Sequence, residues 1–241
     1  MKNYGVIGKS LAHSFSPSYF EKKFTDSKIN DCSYKAYELS SIELIKKLIH
    51  DEELSGFNVT IPYKQSIIPY LDGISHIASE INSVNTVSIK NGLLYGENTD
   101  HIGFRKTIIK YIQSHHKRAL IFGTGGSSRT ITYVLKSLGI KCMHVSQSNQ
   151  NMIGYDQLDY EVIKNHDLLI NTTPLGTFPS IDDCVDVPYS AITSKHLCYD
   201  LIYNPLETLF LNKSKLNGAL TVNGLDMLKI QADKSWELWN G

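Results

Sequence analysis

The stretch Ala119-Leu120-Ile121-Phe122-Gly123-Thr124-Gly125-Gly126-Ser127-Ser128-Arg129 decides how the second half of this chain folds. Four apolar residues without alternation read as a strand buried on both faces. Gly123, Gly125 and Gly126 then permit a tight turn, and residues 131–138 continue with helical spacing. Residues 141–145 supply the next strand, so strand, glycine turn, helix and strand fit within about 30 residues, the context of a mononucleotide-binding unit. In such a unit the free N–H groups at the helix N-terminus hold a pyrophosphate. The turn Gly123, Thr124, Gly125, Gly126 with Ser127 is therefore the expected dinucleotide site. Ser128 takes the third fingerprint position, where a small residue allows close helix–strand packing.

Outward from the turn the rhythm continues. Met143-His-Val145, Asp167-Leu-Leu-Ile170 and Leu197-Cys-Tyr-Asp-Leu201 are further short apolar runs between helical or loop segments. That alternation predicts a doubly wound, Rossmann-type parallel sheet with both faces covered. The first half reads as a separate α/β domain. Strands are expected at residues 4–8, 33–39 and 57–61, and helices after Pro17 and over residues 42–50, 64–71 and 74–81. Asn91-Gly92 between apolar runs 84–89 and 93–96 signals a hairpin. The domain boundary is expected near Asp100 to Gly103, giving domains 1–101 and 102–223 joined by a helix over residues 102–114. A C-terminal helix of about 224–241, with Leu225, Leu228, Ala232, Trp236 and Trp239 near one face, suits packing on either domain, including back onto the first.

The 241 residues carry 24 basic and 24 acidic side chains, a balance that removes the electrostatic case for nucleic acid or an anionic membrane as main partner. His115-His116-Lys117-Arg118 reads as a solvated lead-in to the strand at 119–122. No apolar run approaches the roughly 18 residues of a membrane span, and the N-terminal segment lacks an apolar h-region, so the expected address is cytoplasmic. Cys32, Cys142, Cys184 and Cys198 have no paired spacing and read as buried thiols in a reducing compartment. The nine histidines form no metal-ligand pattern, so no metal is expected.

An NAD site usually carries an acidic residue about 20 positions past the turn, on the ribose hydroxyls. No Asp or Glu lies between Thr124 and Tyr155, and the second strand ends in Ser146-Gln147-Ser148-Asn149. Without a carboxylate to repel a 2′-phosphate, NADP is favoured; without an arginine there to hold it, NAD stays admissible. In the first half, three polar clusters stand out: Ser14 and Ser16 around Phe15, Asn58-Val-Thr-Ile-Pro-Tyr-Lys64, and Asn85 with Asn98-Thr99-Asp100. The second delivers a lysine at an expected helix start, where a cation opposes the helix dipole.

With these motifs in their order, the sequence resembles the shikimate dehydrogenases over essentially its whole length. Beyond the clusters above, the resemblance rests on Val84-Asn85-Thr86, Asn171-Thr-Thr-Pro-Leu-Gly176, Tyr199-Asp200-Leu-Ile-Tyr203, Asn204-Pro-Leu-Glu-Thr208, Asn223-Gly-Leu225 and Gln231-Ala232. It implies an NADP-linked hydride transfer between 3-dehydroshikimate and shikimate in aromatic amino-acid biosynthesis. It also implies a substrate lying in the cleft between an N-terminal substrate domain and the nucleotide domain. By matching positions, Ser14 and Ser16 bind the substrate carboxylate, Tyr203 lines the pocket near it, and Thr60, Asn85 and Gln231 fix the ring. Lys64 and Asp100 are the implied catalytic pair. Thr172, Thr173, Pro174 and Leu175, with Gly224 and Met227, surround the nicotinamide, and Ser146, Gln147 and Ser148 lie on the adenosine side.

The chemistry of the pair agrees, because hydride reduction of a ketone leaves an alkoxide that needs a proton and the reverse needs a base. The sequence departs from the resemblance at Gln147-Ser148, where members that use NADP often carry an arginine, at His101 and at Asp226. An enzyme acting on quinate, or on quinate and shikimate, fits the same motifs, as does a nucleotide-binding regulator without turnover. The intact Lys64 and Asp100 argue against the latter. Monomer and homodimer both remain open.

Overall fold

The computed structural model describes residues 1–147 and 152–241. The chain divides into two units, one of Met1–Ile102 with Gln231–Gly241 and one of Gly103–Ile230.

The first unit runs β1 (Lys2–Gly8), α1 (Ser16–Asp26), β2 (Cys32–Glu38), α2 (Ile45–Asp51), β3 (Leu54–Val59), α3 (Tyr63–Ser66), β4 (Gly73–Ile74), α4 (His76–Ile81), β5 (Thr86–Lys90) and β6 (Leu93–Glu97). Its sheet has the order β2-β1-β3-β5-β6-β4. β1 pairs in parallel with β2 and β3, whereas β5 is antiparallel to β3 and β6. The reversal from β5 to β6 is made by Asn91 and Gly92, both left-handed at φ +53° and +77°, the geometry of a two-residue hairpin turn. The helix expected over residues 64–71 is shorter: α3 stops at Ser66 and a 3₁₀ turn follows at Ile68–Tyr70. Pro69 explains this, since it lacks an N–H and disfavours helical geometry in the residue before it. Ile74 belongs to β4, and the Ser75 hydroxyl starts α4 by accepting from the Ala78 N–H at 3.2 Å.

Residues 231–240 form the end of α9 (Leu225–Asn240) and complete this unit's core. Trp239 stacks on Tyr4 with ring centroids 4.8 Å apart and donates its indole N–H to the Val87 carbonyl at 3.0 Å. Trp236 meets the edge of Tyr4, and Phe20, Phe24 and Ala232 fill the remaining space. Gly56 permits this approach, because a Cβ there would stand 2.6 Å from the Trp239 indole.

The second unit contains most of α5 (Asp100–Ile108), then β7 (Arg118–Phe122), α6 (Gly126–Ser137), β8 (Lys141–Val145), α7 (Tyr160–Lys164), β9 (Leu168–Asn171), β10 (Leu197–Asp200), α8 (Leu209–Leu216) and β11 (Leu220–Val222). The five strands are ordered β11-β10-β9-β7-β8, every neighbouring pair parallel. Alternate side chains enter two cores. Leu120, Phe122, Leu169 and Cys198 pack into one, and Ala119, Ile121, Leu168, Ile170 and Tyr199 into the other. Burial of both faces is why these strands read as unbroken apolar runs. α5 is shorter than the expected 102–114, ending where three β-branched residues, Thr107, Ile108 and Ile109, fall together.

Two expectations are corrected here. His116 is not a solvated lead-in: it is buried, Nδ1 accepts from the Gln113 N–H at 2.9 Å, and burial lowers its pKa. Of the four free cysteines only Cys198 is buried, the other three being partly exposed. Among the described residues no helix is long and apolar enough to cross a membrane.

The aromatic closure by Trp239 gives a direct stability prediction. Trp239→Ala should cost about 3–5 kcal/mol in urea denaturation, the usual range for emptying a buried aromatic site. A loss below about 1 kcal/mol would show that this indole does not hold the first unit's core.

Candidate active site

Asn85 organises the polar interior of the first unit. It follows the buried Val84 at the entry to β5, and its own side chain is buried. Its Oδ1 accepts from the Thr99 N–H at 2.6 Å. Its Nδ2 lies 2.9 Å from Thr99 Oγ1, 3.0 Å from Asp100 Oδ1 and 3.2 Å from Gln231 Oε1. Behind it, Asn58 donates to the Asn85 carbonyl, to Thr86 Oγ1 and to Ser235 Oγ, at 2.8–3.2 Å. Buried amides are tolerated only when paired in this way.

Lys64 and Asp100 meet at the edge of that network. Lys64 Nζ donates to Asp100 Oδ2 at 2.6 Å, and the two side chains are only 13% and 9% exposed. Both carboxylate oxygens are thus engaged, one by Lys64 and the other by Asn85. Local structure aims the pair. α3 is tied down by the Val84 N–H donating to the Lys64 carbonyl at 2.8 Å, and Asp100 opens α5, where a carboxylate suits the helix dipole. His101 turns its Nδ1 back to the Asn98 carbonyl.

The other expected substrate residues are placed as follows. Thr60 follows β3, with its N–H on the Ile7 carbonyl at 2.9 Å. Ser14 is half-buried in the loop before α1. Ser16 is the first residue of α1 and is buried; the Tyr34 hydroxyl donates to Asn58 Oδ1 at 2.8 Å. Gln231, in α9, accepts from Asn85 and from Thr99 Oγ1. Tyr203 lies in the second unit, in the loop after β10. Lys64, Asp100, Asn85 and Gln231 thus form one bonded cluster.

In the second unit, strand order reverses between β7 and β9, with β8 on one side of β7 and β9 on the other. Ligands of doubly wound sheets bind outside the strand ends at such a point. Gly123 leaves β7 there at φ +107°, a conformation that L side chains avoid, and a Cβ on it would stand 2.8 Å from Thr172 Oγ1. Gly125 precedes α6 without a side-chain cap, and a Cβ there would meet nothing within 4 Å. The start of α6 thus has no side-chain cap and open space at Gly125, which leaves room for a dinucleotide pyrophosphate at a helix N-terminus. Ser128 is buried and donates to the Gly125 carbonyl at 2.8 Å. At the end of β8, Ser146 is mostly buried and Gln147 exposed; Ser148 falls outside the described residues.

The segment Thr172 to Leu175 is held by a group that sequence reasoning assigned no role. Asp200, completely buried at the end of β10, accepts from Thr208 Oγ1 at 2.6 Å, the Ile202 N–H at 3.0 Å and Asn171 Nδ2 at 3.1 Å. Asn171 Oδ1 in turn receives the Thr173 hydroxyl at 2.6 Å and the Thr173 N–H at 3.0 Å. The available signal was a polar residue closing each of two apolar runs, Asn171 after 168–170 and Asp200 after 197–199. Gly224 sits where a Cβ would collide with the Leu201 carbonyl, and Met227 is buried in α9 beside Gly103. Among the described residues no group of three or more His, Cys, Asp or Glu is placed to hold a metal.

Known proteins resemble this chain in sequence and in fold. Residues 6–87 match the family described as the shikimate dehydrogenase substrate binding domain. A shikimate dehydrogenase (NADP(+)) of Clostridium perfringens is 39% identical, covering 100% of this chain and 93% of its own. Shikimate dehydrogenase 1 of Peptoclostridium difficile superposes with a TM-score of 0.85 at 37% identity, over 100% of this chain and 92% of that one. Shikimate 5-dehydrogenase of Thermus thermophilus, solved with NADP(H) and shikimate, gives 0.87 at 27% identity, over 100% and 94%.

Burial pushes the Asp200 carboxyl up to about 6, against three donors that favour its charge. In the unfolded chain the same group ionises near 3.9. Its ionisation therefore costs stability as pH rises from about 4 to about 6, by roughly 3 kcal/mol, and nothing further above that. Asp200→Asn should gain on the parent by about that amount across this interval in denaturation series. A stability difference independent of pH would refute the assignment.

Proposed function

The chain belongs to the shikimate dehydrogenase family, and on that premise we propose that it catalyses the reversible NADPH-dependent reduction of 3-dehydroshikimate to shikimate. The observation that carries the reading is the 2.6 Å contact between Lys64 and Asp100, nearly closed to solvent and fixed by Asn85. The dinucleotide, when bound, supplies the hydride in reduction and accepts it in oxidation.

Lys64 Nζ gives a proton to the carbonyl oxygen as that oxygen gains negative charge, and takes the proton from the hydroxyl in the reverse direction. Asp100 holds the ammonium in place through a charge-assisted hydrogen bond and shares hydrogen bonds with substrate hydroxyls. Asn85 and Gln231, locked to each other, set the ring's position together with Thr60. Ser14, Ser16 and Tyr203 take the carboxylate, which hydroxyl donors suit. Gly123, Thr124, Gly125, Gly126 and Ser127 receive the pyrophosphate, Ser146, Gln147 and Ser148 the adenosine side, and Thr172 to Leu175 with Gly224 and Met227 the nicotinamide. The same reading makes this a cytoplasmic enzyme, an address that suits its four free thiols.

The test is oxidation of NADPH and of NADH by 3-dehydroshikimate and, in the reverse direction, reduction of NADP+ by shikimate or by quinate. We expect NADPH to be preferred and shikimate to be favoured over quinate. Lys64→Ala should lose about 10²–10⁴-fold in kcat, the range of a general acid, with a smaller change in KM. Undiminished turnover in that variant would remove Lys64 from the chemistry.

A further inference from the structure

His144 lies in β8 directly across from Ile121 of β7, and both of its ring nitrogens are engaged beneath the glycine turn. Nδ1 is 3.1 Å from the Gly123 carbonyl, and Nε2 is 2.9 Å from Thr132 Oγ1 in α6. A carbonyl can only accept, so Nδ1 donates. Thr132 is anchored in its own helix, reaching the Ser128 carbonyl at 2.8 Å. The imidazole therefore ties the turn to the second turn of α6.

What this bond fixes is a peptide plane. The Gly123 N–H stays in the sheet, on the Val145 carbonyl at 3.0 Å, while its carbonyl is taken by the His144 side chain. The Gly123–Thr124 peptide is trans, so its C=O and N–H point in opposite directions. With the carbonyl held by His144, the Thr124 N–H is directed to the other side of the turn. Glycine otherwise leaves such a plane free to rotate.

We propose that His144 is a positioning residue for the pyrophosphate of the dinucleotide, acting through the Gly123 carbonyl to orient the Thr124 N–H. The inference rests on the dinucleotide reading of the turn proposed above. His144→Leu keeps an apolar side chain of similar bulk but removes both nitrogens, and His144→Asn returns an amide donor near the position of Nδ1. NADPH affinity is read by fluorescence titration without substrate, alongside kcat and both KM values. His144→Leu should raise the NADPH Kd and KM about tenfold, the scale of one lost hydrogen bond. Its kcat and the KM for 3-dehydroshikimate should stay within about twofold of the parent, as expected when only ground-state cofactor binding is lost. His144→Asn should recover the NADPH Kd to within about threefold of the parent, because its amide restores the donor. Unchanged NADPH affinity in His144→Leu would overturn the proposal, as would a loss confined to kcat, or an Asn variant no better than Leu. A parent protein that binds no NADPH would instead overturn the dinucleotide reading, and this inference with it.

Discussion

Asn85 carries its whole amide into the interior of the first unit, and most of the polar architecture there follows from the need to pair it. Its oxygen takes the Thr99 N–H, its nitrogen reaches Asp100 and Gln231, and its backbone carbonyl receives Asn58. An unpaired buried amide would cost a few kcal/mol. Satisfying it fixes where α5 begins and where Gln231 must lie, and through Asp100 it fixes Lys64. The Lys64 ammonium and the Asp100 carboxylate thus inherit their geometry from a neutral group, which is how a site becomes preorganised before any ligand arrives.

The second unit solves a similar problem with a buried acid. Asp200 collects three donors and passes its order through Asn171 to Thr173. On the other side of the switch point, Gly123 provides a backbone conformation that other residues avoid, and His144 and Thr172 border it. Both devices act on backbone: one shapes the segment after β9, the other the turn after β7. This is consistent with a ligand recognised largely through main-chain groups and the start of a helix.

Much of this was legible in the sequence, for identifiable reasons. Strands 119–122, 168–170 and 197–200 are buried on both faces, so their apolar runs are unbroken, and Asn91-Gly92 admits few conformations besides a hairpin turn. The elements that escaped notice, α7, α8 and β11, are short, and their apolar residues do not repeat long enough to set a period. Lys64 and Asp100 stood out by residue type and by resemblance. Ser235, which supports Asn58, did not, because a hydroxyl at an isolated position looks the same whether it faces water or a buried amide. His144 was hidden for a related reason: its role depends on a carbonyl 21 residues earlier, a contact made only once β7 and β8 pair.

The central claim is that Lys64 and Asp100 act as one unit. A double-mutant cycle on kcat/KM for shikimate oxidation tests it most directly, using Lys64→Ala, Asp100→Asn and the two combined. Residues that work together lose their effect together, so adding Asp100→Asn to Lys64→Ala should lower kcat/KM by no more than about threefold. Losses that multiply, with the double variant impaired by the product of the two single effects, would contradict the account.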